Sequence, residues 1–250
     1  MTLTIKTIIC IFLLLTSSLL GSTQSLLDEA NHYFNSRQNK GHLKKAIQLI
    51  QSAKKSASTK EEQFTINWQL ARAYTESVDY MDIPKKEKLQ FLNKAKEAAK
   101  NANNIKRDSI EGTYWNAIAI GREAELKGIL KSLKSVKPIK KSMEKIIKKN
   151  PNFHRAYFVL SRLYRKAPKV ISIGNPKKSL KLINKALKLD PKESRYLLEK
   201  AEVLKKLRKK DDAIKVIKTL LDLPYYSGYF KPTVDADKQK ARKLLKKLTH

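Results

Sequence analysis

Small and apolar residues recur at a fixed spacing in the second half of the chain. The stretch Asp190–Pro224 begins a helix at Pro191 and then places small or apolar residues at helical intervals: Ala201, Leu204, Ala213, Ile217 and Leu220. Two antiparallel helices approach closely only where a small side chain faces their crossing. The spacing therefore predicts a helix–turn–helix unit of about 34 residues, the length of a tetratricopeptide (TPR) repeat.

The preceding stretch follows the same plan. It opens at Pro151, its second helix carries Ile183 and Ala186, and the loop between its helices, 166–177, is longer than in a standard repeat. Weaker copies lie upstream, so the pattern predicts five hairpins over 24–58, 60–103, 108–149, 152–190 and 192–223, and an amphipathic helix over 235–248. The predicted fold class is all-α: a right-handed, TPR-like helical-hairpin solenoid with a C-terminal capping helix.

Residues 1–22 are typical of a secretory signal peptide. Lys6 provides a positive start, and the apolar run Ile8–Leu15 is shorter than the roughly 20 residues of a spanning helix. Cys10 lies inside the apolar run and not at its end, so we expect no lipid anchor on a cysteine. We predict an exported, periplasmic protein with a single TPR-like domain over 23–250. An uncleaved membrane anchor is the alternative.

The chain is strongly basic. Its 54 Lys+Arg and 23 Asp+Glu give 250 residues a formal net charge of +31. A charge of this size attracts polyanions, but only ten of the basic residues are Arg, whose planar fork suits bases and phosphates better than Lys does. The predicted export also directs the chain away from nucleic acid. We therefore expect a solvated lysine surface, no nucleic-acid partner and a weak contact with anionic membrane surfaces.

No motif for catalysis or cofactor binding stands out. The seven Gly are scattered singly, which excludes a phosphate-binding loop, and no nucleophile has a base at a typical spacing. One Cys and four widely separated His form no metal-binding motif. We expect no enzyme, no cofactor and no metal.

The repeat register singles out a row of arginines. The residue beside the small mid-helix position of a hairpin's first helix normally faces the concave side of a solenoid. That position holds Arg72, Arg122 and Arg162 in hairpins two to four, and an aromatic residue precedes each by four to seven positions: Trp68, Trp115 and Phe158. Arg forks and flat rings suit a carboxylate-bearing ligand or an acidic peptide. The structural alternative is that each Arg pairs with an acid and each ring fills an interface between repeats.

Two blocks of residues carry a resemblance to known families. The first joins Tyr114-Trp115 to Gly121-Arg122, and the second joins Asn150-Pro151 to Gly174-Asn175-Pro176. Over about 80 residues the pattern resembles the TPR-containing T component associated with bacterial TRAP transporters, which implies a periplasmic partner of the solute-binding subunit. The Gly-Arg pattern is also similar to a eukaryotic family of microtubule-dynamics regulators. The predicted secretory signal favours the bacterial family.

Three functions follow as hypotheses. The first is an exported scaffold that binds a protein partner, which the resemblance suggests is the solute-binding subunit of a TRAP transporter. The second is a small-molecule binding protein with a site for an anionic ligand inside the helical bundle. The third is a basic peripheral component of the envelope, whose attachment would weaken as salt screens its charges.

Overall fold

The computed structural model describes residues 23–168 and 173–249, and these fold into eleven α-helices. The predicted signal peptide over 1–22 lies outside the described residues. The helices are α1 over 23–35, α2 His42–Ser56, α3 Lys60–Tyr80, α4 Lys85–Ile105, α5 Ile110–Lys127, α6 Ile129–Lys149, α7 His154–Lys166, α8 Pro176–Leu189, α9 Ser194–Lys206, α10 Lys210–Leu221 and α11 Lys231–Thr249.

Consecutive helices pair as predicted in the second, fourth and fifth hairpins. α3 packs against α4, α7 against α8 and α9 against α10, while α11 packs against both α9 and α10. The long loop predicted over 166–177 separates α7 from α8, although residues 169–172 are not described. Every regular element among the described residues is helical. The predicted all-α, TPR-like helical-hairpin solenoid and its C-terminal capping helix are therefore confirmed.

The chain divides into two compact units. Unit 1 ends at Lys127, and unit 2 begins at Gly128. The boundary falls inside the third predicted hairpin, 108–149, so α5 belongs to unit 1 and α6 to unit 2. Gly128 has a φ of 89°, in the left-handed region that glycine adopts without strain. A single domain over 23–250 stays a prediction.

Small side chains lie where paired helices cross. Ala186, Ala201 and Ala213 are completely buried in unit 2, and Ala71 and Ala95 are completely buried in unit 1. Larger apolar residues surround these contacts because the helices meet along one apolar stripe each. In unit 2 the resulting core includes Leu197, Ile217, Leu220, Ala241 and Leu244.

Local sequence signals fix where individual helices begin. The hydroxyl of Thr59 accepts a hydrogen bond from the Glu62 backbone N–H at 3.1 Å, and the Glu62 carboxylate accepts one from the Thr59 N–H at 2.9 Å. This reciprocal capping box satisfies two donors that the first turn of α3 would otherwise leave without partners. At α8 the side chain of Asn175 accepts from the Lys178 N–H, and Pro176 occupies the first turn.

Within the described ranges, no helix combines the length and the apolar character needed to cross a bilayer.

The close helix crossings provide a test of the fold. Ala213→Leu should overpack the contact between α9 and α10 and lower the free energy of unfolding by about 1–3 kcal/mol. Lys215→Leu, at an exposed position of the same helix, should change it by less than about 0.5 kcal/mol. Urea denaturation of both variants measures the difference, and equal midpoints would contradict the assigned crossing.

Candidate partner-binding surface

The six residues of the predicted row fall into the two units. Trp68, Arg72, Trp115 and Arg122 belong to unit 1, on α3 and α5, whereas Phe158 and Arg162 belong to unit 2, on α7. All six lie on the first helices of their hairpins, as the repeat register requires. Their surroundings differ, and so do the roles that the structure supports for them.

Arg72 lies on α3 among aromatic rings. Its guanidinium carbon is 3.9 Å from the centroid of the Phe34 ring on α1 and 5.2 Å from the Trp68 ring one turn earlier on α3. Its Nη2 donates to Asn31 Oδ1 at 2.8 Å, again on α1. We call Asn31, Phe34, Trp68 and Arg72 the Arg72 cluster. Arg72 and Trp68 are both half-buried, so part of each residue faces solvent.

A second arginine adjoins the Arg72 cluster. The guanidinium carbon of Arg37, just beyond α1, lies 4.6 Å from the Phe34 ring and 5.0 Å from the Tyr80 ring, and its Nε is 3.3 Å from Glu76 Oε2. Two guanidinium groups therefore flank one phenylalanine. The repeat register did not identify Arg37, because this residue lies in the turn after the first helix.

Arg122 on α5 has acidic neighbours. Its Nη2 forms a short contact with Asp79 on α3, and its Nη1 lies 3.3 Å from Glu125 Oε2 one turn later. Burial alone lowers the pKa of Arg122, but the charges of Asp79, Glu125 and Glu76 outweigh it and raise the pKa above its usual value. Trp115 is buried, and its ring packs edge-on against Tyr114 at 5.2 Å. The ion pairs of Arg122 are those that the structural alternative describes, and a binding role of Arg122 and Trp115 stays a prediction.

The pair in unit 2 belongs to an aromatic contact between hairpins. The guanidinium carbon of Arg162 lies 5.7 Å from the Phe158 ring, and that ring lies 5.0 Å from Tyr196 on α9. The Tyr196 hydroxyl is 2.7 Å from His154 Nδ1 at the start of α7. Phe158 therefore contacts α9 through Tyr196, and a binding role of Phe158 and Arg162 stays a prediction.

A bidentate ion pair of unit 2 involves residues that the sequence analysis did not identify. Arg165 donates from Nε and Nη2 to the two carboxylate oxygens of Glu199, at 2.8 and 2.7 Å. Glu199 is 3% exposed. Burial lowers the pKa of Arg165, while the hydrogen bond and charge of Glu199 raise it above its usual value. Glu199 lies among the buried residues of α9. An acid on the apolar side of a helix is the sequence signal that could have indicated a buried ion pair.

The Arg72 cluster can recognise an anionic group. A guanidinium fork binds a carboxylate through two parallel hydrogen bonds, and the adjacent ring faces can cover an apolar neighbour. Among the described residues, no group of three or more His, Cys, Asp or Glu could hold a metal ion. The arrangement favours binding of an acidic, partly apolar segment.

Comparison with known proteins gives a family match over almost all of the described chain. The model of the family described as "Regulator of microtubule dynamics protein 1-3" matches residues 26–249. Regulator of microtubule dynamics protein 3 from Rattus norvegicus is 31% identical over 147 residues, 58% of this chain and 30% of the rat protein. The protein of the same name from Mus musculus is 34% identical over 95 residues, 38% of this chain and 20% of the mouse protein.

The match covers less than a third of the length of these curated relatives. A crystal structure of a thermophilic TPR protein from Thermus thermophilus has a TM-score of 0.64 and 14% identity, and the alignment covers 88% of this chain and 99% of that one. This likeness supports the TPR fold alone. Of the two resemblances found in the sequence, the comparisons show the one to microtubule-dynamics regulators. They do not show the one to the TRAP T component.

The Arg165–Glu199 pair generates a stability prediction. Arg165→Ala should leave a buried carboxylate without its cation and lower the free energy of unfolding by about 3–5 kcal/mol. Arg155→Ala, at an exposed position of the same helix, should lower it by no more than about 0.5 kcal/mol. Thermal and urea denaturation followed by circular dichroism compare the two, and a near-neutral Arg165→Ala would show that the pair contributes little.

Proposed function

The chain belongs to the regulator of microtubule dynamics protein 1-3 family, and we propose that it is a TPR scaffold which binds an acidic segment of a protein partner at the Arg72 cluster of unit 1. The observation that carries the proposal is the position of the Arg72 guanidinium, 3.9 Å from the Phe34 ring and 5.2 Å from the Trp68 ring. The family match and the TPR fold support the scaffold, and the cluster supports the chemistry of its partner.

The geometry favours Arg72 over the other members of the predicted row. Arg122 is held by Asp79 and Glu125, so a partner carboxylate at that position would meet acidic neighbours. Arg72 donates to an amide oxygen of Asn31 and lies against two rings. A carboxylate can approach the part of Arg72 that faces solvent while Trp68 packs against the apolar part of the same segment.

There are two candidates for the protein partner, and they belong to different compartments. An exported chain would meet envelope proteins. Among them, the solute-binding subunit of a TRAP transporter stays a prediction that rests on resemblance. A chain kept in a microtubule-containing compartment meets microtubules, a partner favoured by the family match and by the net charge of +31. The small-molecule site inside the helical bundle, with an anionic ligand, also stays a prediction.

Substitutions at Arg72 test the proposed site. Arg72→Ala should weaken binding to an array of peptides ending in acidic residues by about one to two orders of magnitude, because one charged hydrogen bond contributes roughly 1.5–3 kcal/mol. Arg72→Lys keeps the charge but loses the fork, so it should recover only part of the affinity. Fluorescence polarisation with the best peptide of the array measures all three proteins.

The matched control is Arg162→Ala, which removes an arginine that also lies near a ring, in unit 2. It should bind the peptide as the parent does. Polymerised tubulin, added as a second probe in a co-sedimentation assay, identifies the microtubule as the acidic partner if Arg72→Ala also loses it. Equal affinity of Arg72→Ala and the parent for every probe, with both proteins fully folded, would overturn the site.

Processing of the first 22 residues distinguishes the two compartments. Export predicts that the purified protein begins close to Gly21 or Ser22 and contains no cysteine, since Cys10 is the only one. Intact-mass measurement of the protein isolated from its source cells gives the answer directly. A mass that retains residues 1–22, or one that includes a lipid, would contradict cleavage of a signal peptide.

A further inference from the structure

Two helices of unit 2, α6 and α8, each carry lysines along one line. On α6 these are Lys134, Lys137, Lys141, Lys145 and Lys148, all of which are exposed. Their intervals of three and four residues place them on one side of the helix. The buried residues of α6 are Val136, Ile139, Met143 and Ile146, and at 100° per residue they lie on the opposite side. The line of lysines therefore points away from the core over about 21 Å.

α8 repeats the arrangement. Lys177, Lys181, Lys185 and Lys188 are exposed and follow the same three- and four-residue intervals. The buried residues Ser179, Ile183 and Ala186 occupy the other side of the helix. We call the two lines the lysine stripes of α6 and α8.

The two lysine stripes lie on helices that contact the same helix of unit 2. α7 packs against both α6 and α8.

The composition of the stripes is not a general property of outward helix faces in this protein. The line of α4 in unit 1 that lies opposite its buried residues holds Gln90, Asn93, Glu97 and Asn104 together with two lysines, Lys86 and Lys100. A solvated helix face is therefore built here mainly from amides and an acid, with lysine as the minority. On the stripes, by contrast, like charges repeat at a spacing that destabilises an isolated helix. Glu144, the one acid in the sequence of α6, pairs with Lys140 at 2.9 Å, and the sequence of α8 has no acid.

We infer that the lysine stripes of α6 and α8 dock unit 2 on the surface of an anionic lipid bilayer. Ammonium groups act as point charges without the planar fork of Arg, which suits a surface of many mobile anionic headgroups. No aromatic residue lies on either stripe to stack with exposed bases, as single-stranded nucleic acid would require. The surface is separate from the Arg72 cluster, which belongs to unit 1, so the inference goes beyond the proposed function.

Vesicle co-sedimentation tests the inference with the full chain. Vesicles of phosphatidylcholine containing phosphatidylglycerol should bind the protein at low salt and release it as salt screens the charges, whereas vesicles of phosphatidylcholine alone should not bind it. The variant K137Q/K141Q/K181Q/K185Q removes four charges from the stripes. Since each lysine near an anionic surface contributes about fivefold to partitioning, the partition coefficient should fall by roughly two to three orders of magnitude.

The matched control removes four charges elsewhere. K44Q/K45Q/K85Q/K86Q changes exposed lysines of α2 and α4 in unit 1 and has the same net charge as the stripe variant. It should retain most of the binding to anionic vesicles. Equal losses in the two variants would overturn the inference and leave only a general effect of net charge.

Two soluble polyanions complete the experiment. Duplex DNA and polyglutamate, each added as a competitor at the same salt concentration, should displace the protein from vesicles only weakly. If either binds more tightly than the vesicles, and the stripe variant alone loses that binding, the stripes serve a nucleic acid or an acidic protein and the lipid assignment is wrong. Arg72→Ala should bind vesicles as the parent does, which separates this result from any failure of the Arg72 cluster.

Discussion

Each hairpin can close only where a small side chain lets two helices approach, and this contact determines what the rest of the chain exposes. With Ala186, Ala201 and Ala213 fully buried at such positions, the rotations of α8, α9 and α10 about their axes are fixed. One side of each helix must then face the core. The other sides of the helices carry polar residues. The Arg72 cluster lies on first helices of hairpins, and the lysine stripes lie on the second helices α6 and α8.

Basic residues serve three different purposes on this framework. Arg165 neutralises a buried acid between α7 and α9, and Arg122 joins α5 to α3 through Asp79. Arg72 lies against two rings with part of its surface accessible, which is an arrangement suited to recognition. The lysines of α6 and α8 lie away from the core and contribute charge rather than geometry. The basic residues behind the net charge of +31 therefore lie in three different environments.

The repeat pattern was sufficient to predict the helices, because small and apolar spacing is a local property of the sequence. It also placed Trp68 and Arg72 together, since residues four apart meet on one side of a helix. It could not distinguish Arg72 from Arg122, because the acid Asp79 is 43 positions away in the sequence and only folding brings it close. Arg165 and Glu199 were missed for the same reason, since 34 positions separate them, and Arg37 was missed because it lies in the turn after α1. The division at Gly128 was missed because the hairpin pattern continues across it.

Site-specific photo-cross-linking tests the central claim, that a protein partner binds on the first helices of unit 1. A photoreactive residue at Thr65, one turn before Trp68 on α3, should form an adduct with the acidic partner in source cells, and Arg72→Ala in the same chain should abolish it. The same residue at Gln90, exposed on α4, should give no such adduct. An adduct from position 90 that persists in the Arg72→Ala chain, with none from position 65, would contradict the account.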